Sequence, residues 1–584
     1  MDVNGYEPLG ISIVSSIKGG TLPAILQEAK QGNIPKELPV QQQRIYDVLD
    51  GRIPSTDAQN EAYATLLVGA CNHLNQILPF LFEKIDDYAE LLLPDDLISQ
   101  FSILQDVRNG MTAEDCVEVE IIGWLYQFYI SEKKDEVFAS KGKVKKEDIP
   151  AATQLFTPRW IVEYMVQNTV GKLWLQNNPQ SKLREHMPYF IESPSVTTDD
   201  YLKINSVEDI TLLDQACGSG HILVYGFELL SKIYEEQGYN ESDIPKLIIE
   251  KNLHGFEIDT RAAQLAGLAL MLRARQYYRR VFKKDITPNI FCYQDLKVSE
   301  EDIKATFKAV DEILSDVLFY DLKTMQQATN LGSLIQPHTI LTDLEKTRAS
   351  LATKVNSSDL FHTHNLRGIL QTIVQLSALS QKYHCVVDNP PYMGGGNMNK
   401  PLSDFVKANY PKSKADLMAC FMEAGLAALK PQGYLGMINQ HSWMFLSSYE
   451  KLREHLIDTI HFDTMLHLGP RTFPEIGGEV VQNTAFTFCN CKSKILGNYI
   501  RLVDYEKAQL KKEKTFEAIL NTECRYFFEA SQNDFQKIPS FLIGYDLPKA
   551  VVKMFAGHTV GNYSEPRIGL VTGNSQRFLR NWSE

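Results

Sequence analysis

Apolar residues recur at three- and four-residue spacing between positions 59 and 89, with few Gly or Pro among them. That period predicts a mostly helical N-terminal domain over residues 1–150, with 141–150 as an exposed linker. Downstream the pattern changes. Short apolar runs at 210–214, 253–259, 289–293, 385–388, 433–438, 464–468 and 480–489 read as strands. The longer apolar stretches 222–233, 261–279 and 414–429, which lie between them, read as helices. Strands that alternate with helices predict an α/β domain built on a Rossmann-like sheet, here over 151–495. Residues 300–380 are polar and helical, an insertion ahead of the fourth strand. The run Asn330-Leu331-Gly332-Ser333-Leu334-Ile335 stands out there without an assigned role. After residue 495 the pattern loosens.

Several strand ends carry residues suited to ligands. The run 385–388 enters Asn389-Pro390-Pro391-Tyr392, where two prolines force the backbone out of the sheet. Open α/β sheets bind ligands at this end of their strands. An Asn side-chain oxygen and a proline carbonyl can accept two hydrogen bonds from one exocyclic amine, and a Tyr ring can stack on a planar base. The bland alternative is a tight turn with a core Tyr. The glycines 394–396 that follow read as a segment able to fold over a ligand. The first strand enters Asp214-Gln215-Ala216-Cys217-Gly218-Ser219-Gly220, a small-residue loop opening a helix. Gly218 and Gly220 would let backbone approach a ligand, although the third glycine of a dinucleotide fingerprint is missing. Glu257 ends the second strand, where a ribose diol would be gripped. Asp295 follows the third strand and also reads as a helix cap. Thr157-Pro158 reads as the N-cap and first residue of a helix whose N-terminus suits a carboxylate.

Charge and cysteine content narrow the picture. The net charge is −13, so contact with nucleic acid needs local basic patches. Residues 141–146 and the arginines and lysines between 273 and 284 are two such runs, each also readable as a solvated face. Pro94-Asp95-Asp96 with Glu132-Lys133-Lys134 only loosely matches a nuclease pattern, and helix surface charge explains it better. The cysteines form no CxxC pair, no metal site is visible, and reduced thiols point to the cytoplasm. No apolar run is long enough for a transmembrane helix.

In this order, Thr157-Pro158, the 214–220 loop, Glu257, Asp295 and Asn389-Pro390-Pro391-Tyr392 resemble the γ-class adenine-N6 DNA methyltransferases. Residues 119–126, 154–160 and 477–486 further resemble the PglX family of BREX phage-defence methyltransferases. The resemblance covers essentially the whole chain and implies a cofactor, S-adenosyl-L-methionine. Thr157, Asp214, Ala216, Gly218, Gly220, Glu257 and Asp295 would hold it, with Glu257 on the ribose and Asp295 on the adenine amine. Asn389 and Pro390, followed by Pro391 and Tyr392, would be catalytic. Tyr392 and Phe473 would stack on an adenine flipped from double-stranded DNA, although Phe473 equally reads as core. Other BREX proteins are implied partners, and neither a metal nor a membrane is involved. Two departures stand out. Gln215 occupies a position where the family loop has proline. Family members are also longer, so the chain reads as an N-terminal part, with 496–584 a linker and the start of a target-recognition domain. Its last motif-like stretch is 569–582. Two other readings stay open: an amino-methyltransferase acting on RNA or protein, and a non-catalytic cofactor-binding scaffold of a defence complex.

Overall fold

The computed structural model describes every residue except 1–4, 6, 18–19, 87–91, 113, 117–118, 120, 141, 156, 193–200, 356–359, 474–480, 556, 558–562 and 565–584. Parts of the three matched stretches, residues 120, 156 and 477–480, and the whole of 569–582 therefore lie outside the described residues.

The strands are β1 (Leu212–Asp214), β2 (Leu253–Glu257), β3 (Asn289–Cys292), β4 (Tyr383–Asp388), β5 (Leu429–Gln440), β6 (His461–Gly469), β7 (Asn483–Cys489), β8 (Gly497–Arg501) and β9 (Phe527–Ala530). They form one sheet in the order β3-β2-β1-β4-β5-β7-β6-β8-β9. β3, β2, β1, β4 and β5 pair in parallel, and β7 runs antiparallel between β5 and β6. This is a mixed, Rossmann-like sheet. All six residues of β4 are buried, as a central parallel strand covered on both faces requires. Its side chains alternate between two cores: Val386 joins one, Cys385 and Val387 the other. Each core closes around a helical layer. The Leu417–Ala428 helix belongs to the first, the Arg159–Val166 and His221–Glu236 helices to the second.

The N-terminal region is helical as expected, with a separate small core built on the Ala58–Ile77 helix. The insertion is helical too, with Glu300–Ala309, Asp316–Thr324, Leu341–Lys354 and Leu360–Ser380 as its main helices.

Four sequence expectations change. Residues 141–150 are no exposed linker: Val144 and Ile149 are buried, and the Val144 N–H donates to the Asn397 carbonyl at 2.8 Å. The boundary at 495 falls inside the sheet, because β8 pairs with β6 and β9 with β8. Apolar alternation in β8 and β9 is too short to show a continuing sheet. Gly394 and Gly395 are tied down, through a β-bridge to Asp416 and an N–H bond to the Ala415 carbonyl. Finally, the helix after Thr157 starts at Arg159 with Pro158 as its N-cap, because Pro158 is extended (φ −53°, ψ 134°). Thr157 makes no cap.

The later elements are also held from within. Arg453 is fully buried. Its guanidinium donates to the Trp443 and Leu446 carbonyls at 2.9 and 2.7 Å, and twice to the Ser540 carbonyl at 3.1 and 2.8 Å. Parts of the two basic runs are engaged in ion pairs, Lys146 with Asp295, Arg273 with Glu228 and Lys284 with Asp243. Among the described residues no helix is long and apolar enough to cross a membrane, and no cluster of side chains suits a metal ion.

Candidate functional site

A cavity opens at the C-terminal ends of β1, β2 and β4. Its atom-free space, counting the open mouth, is about 1000 Å³. The 214–219 loop, Glu257 and Ile258, Asn389 and Pro391, residues 330–334 and the segment from Ile149 to Thr157 all line it.

The loop after β1 is fixed by carboxylates from two neighbouring strands. Glu257 accepts the Gly218 N–H at 2.8 Å on one oxygen and the Ile258 and Asp259 N–H groups at 2.8 and 3.0 Å on the other. Asp388 accepts the Gln215 N–H at 2.7 Å. Asp214 accepts the Ala216 N–H at 3.2 Å. Burial raises the Glu257 carboxyl above its ordinary range. Asp214 is pushed well up, by burial and by the Asp388 charge, while burial lifts Asp388 to about 8. Burial, and for Asp214 the neighbouring Asp388 charge, both favour the protonated form of these carboxyls.

The two loop glycines serve different ends. Gly218 (φ +51°) faces the cavity, and a Cβ there would meet only Gln154 Nε2 at 3.8 Å. Gly220 (φ +87°) lies outside the wall. A Cβ on it would come within 3.0 Å of Ala266 in the Thr260–Tyr277 helix. Its small size allows helix packing, not ligand approach.

At the end of β4, Asn389 Nδ2 donates to the Leu155 carbonyl at 3.0 Å, which ties the turn to the segment carrying Thr157. Asn389 Oδ1 is buried and has no hydrogen-bond partner among the described residues. Gln154 Oε1 and Gln215 Oε1 are likewise buried without one. An unsatisfied buried acceptor costs about 1–3 kcal/mol, so three around one cavity mark a place built for a donor that comes from outside. A ligand with an amine and an ammonium fits these acceptors, together with the small Gly218 backbone and the buried carboxylates.

The expected site residues divide. Thr157, Asp214, Ala216, Gly218, Glu257, Asn389 and Pro391 line the cavity. Tyr392 stands beside it, half-buried, with its hydroxyl donating to the Ile438 carbonyl on β5 at 3.0 Å. Pro390 is buried behind it. Asp295 is outside the wall: one oxygen accepts the Thr329 N–H and hydroxyl at 2.9 and 3.1 Å, and the other pairs with Lys146. Phe473 is buried in the second core and offers no open face to a base. Sequence reasoning missed Ile149, Pro150 and Gln154, because their stretch read as linker and helix approach. It also missed Asp388, which looked like one more strand residue.

Residues 251–473 match the family model of the Eco57I restriction-modification methylase. The adenine-specific methyltransferase BrxX of Escherichia coli O9:H4 (strain HS) is 40% identical over all of this chain and 50% of its own length. The adenine-specific methyltransferase PglX of Lacticaseibacillus casei (strain Zhang) is 36% identical over the same shares. Among solved structures, the DrdV–DNA complex is similar at a TM-score of 0.42 and 11% identity, covering 94% of this chain and 46% of that one. The chain spans about half the length of the curated relatives it matches. Along its whole length it is similar to the BrxX and PglX adenine-specific methyltransferases, and its 251–473 region to the Eco57I restriction-modification methylases.

Proposed function

We propose that this chain carries the methyl-transfer site of an adenine-specific DNA methyltransferase of a BREX-type phage-defence system. S-adenosyl-L-methionine is the cofactor, and an adenine N6 in double-stranded DNA is the acceptor. The observation that carries the reading is the buried Asn389 Oδ1, which has no partner among the described residues and is held by its own Nδ2 bond at the edge of the cavity lined by the 214–219 loop.

When bound, the cofactor supplies an electrophilic methyl group on a sulfonium. Thr157 and the Gly218 backbone hold its methionine part, and Asp214 meets the ammonium. Glu257, at the end of β2, faces the ribose. The target adenine leaves the duplex, at an unstacking cost of about a few kcal/mol. Its amine donates one hydrogen to Asn389 Oδ1 and the other to the Pro390 carbonyl. Those two bonds draw the nitrogen lone pair out of the ring and aim it at the methyl group. Placement and charge stabilisation drive the step, with no strong base. Tyr392 supplies the stacking face, its ring fixed by the hydroxyl bond to β5.

Tritiated methyl transfer from the cofactor to phage or host DNA tests this. Incorporation at adenine N6 that Asn389→Ala abolishes is the expected result. Cofactor binding without transfer at any DNA concentration would sink the enzyme reading in favour of a scaffold. Transfer to RNA or protein alone would sink the DNA reading.

A further inference from the structure

Asp295 sits at the end of β3, next to β2. From there a carboxylate would reach a nucleobase amine, but Asp295 does not line the cavity: one oxygen is turned to Thr329 and the other to Lys146. Thr329 immediately precedes the run 330–335 that the sequence singled out inside the helical insertion. Residues 330–334 of that run line the cavity, and Asp295 does not.

The run is held there by several independent contacts. Tyr293 and Ser333 hydroxyls lie 3.0 Å apart, and the Ser333 hydroxyl donates to the Gln215 carbonyl in the β1 loop at 2.5 Å. Asn330 and Asn399 exchange side-chain hydrogen bonds at 2.9 and 3.2 Å. Gly332 adopts φ +52°, ψ −136°, a conformation essentially confined to glycine. A Cβ on it would come within 3.1 Å of Ile258 Cγ2, so the backbone lies directly against the residue after Glu257. The reacting methyl group belongs at β4, beside Asn389. β2 lies two strands away, about 10 Å at the usual strand spacing. The end of the cofactor that reaches β2 is the adenosine.

We infer that residues 329–334 of the insertion form the adenosine-side wall of the cofactor cavity. Asp295 is a positioning residue that acts on the cofactor through Thr329 and does not touch the nucleobase amine. This rests on the cofactor reading above. Lys146 extends the same anchor to the segment ahead of Gln154, so one carboxylate holds two walls of the cavity together.

Titration calorimetry on the full 584-residue chain tests it, with S-adenosylhomocysteine and its 6-deamino analogue as probes. Gly332→Ala is expected to weaken S-adenosylhomocysteine about tenfold or more, the equivalent of about 1.4 kcal/mol. Should Gly332→Ala fail to fold, Asp295→Ala and Thr329→Val decide the matter. Each is expected to weaken both probes by the same factor, and the double variant no more than the stronger single one. Loss confined to the amine-bearing probe in Asp295→Ala would show direct contact and overturn the inference. So would additive losses, or unchanged binding by a folded Gly332→Ala. If the unaltered chain binds neither probe, the cofactor reading itself fails and this inference with it.

Discussion

Asp388 and Asp463 are both buried on the central sheet, on β4 and β6. Their surroundings differ. Asp463 pairs with the buried Lys172 ammonium and also accepts from the Thr487 hydroxyl at 3.4 Å. Asp388 has the Gln215 N–H on one oxygen and no partner on the other among the described residues; its charged neighbour is another carboxyl, Asp214. A buried charge with its counter-charge is a closed unit that holds elements together. A buried carboxyl without one keeps a proton and stays open to its surroundings. The open one stands immediately before Asn389, at the cavity. The closed one belongs to a second cavity toward the opposite strand ends, lined by Lys172, His461 and Cys489 among others.

Breaking the closed pair gives the largest effect. Asp463→Ala takes the carboxylate counter-charge from the buried Lys172 ammonium, and urea unfolding is expected to show a loss of about 3–5 kcal/mol. Cofactor affinity of the folded protein stays the same. An unmoved midpoint would mean that water already reaches the pair. Asn389→Ala acts in reverse, on rate more than on stability. Methyl transfer is expected to fall by about 10²–10³-fold, while stability falls by only about 0.5–1.5 kcal/mol, the worth of the lost Asn389 Nδ2 bond to the Leu155 carbonyl. Equal losses of stability and rate would erase the contrast between the two regions.

Asp388→Asn gives the smallest and most diagnostic change. Burial raises the folded carboxyl to about 8, above its unfolded value of about 3.9. The folded chain therefore holds a proton that the unfolded chain has released between those two pH values. That contribution to stability is complete below about pH 4 and is lost as the pH rises through about 8. Denaturation midpoints of the parent protein should decline more steeply across this window than those of Asp388→Asn, which lacks this carboxyl and keeps only Asp214 of the pair. Parallel pH profiles for the two proteins would place the proton elsewhere.

How much of this was legible in the sequence depends on the range of each interaction. The β1 loop, Glu257 and the Asn389 turn were legible because each is a short run at a strand end, where local pattern and chemistry coincide. The strands up to β7 followed from their apolar runs. Gln154 and Gly332 were not assigned a role. What places them at the cavity is a set of hydrogen bonds across the fold: Asn389 to Leu155, Asp295 to Thr329, Ser333 to Gln215. Phe473 and Gly220 matched a motif, yet burial and helix packing account for them. A motif fixes a residue's type and spacing, whereas the side of the backbone it faces depends on partners far along the chain.

The buried Arg453 guanidinium bears on how this protein can be dissected. It bridges the turn after β5 to Ser540, well past the stretch 251–473 that matches the methylase family model. A fragment excised at those limits would lose β1 at one end and β7 at the other, leaving a gap between β5 and β6. It would also leave a guanidinium in the core missing one of its three carbonyl acceptors. A fragment that keeps the sheet and the cavity lining together therefore starts before residue 149 and continues beyond Ser540, and the matched region is not a unit of folding.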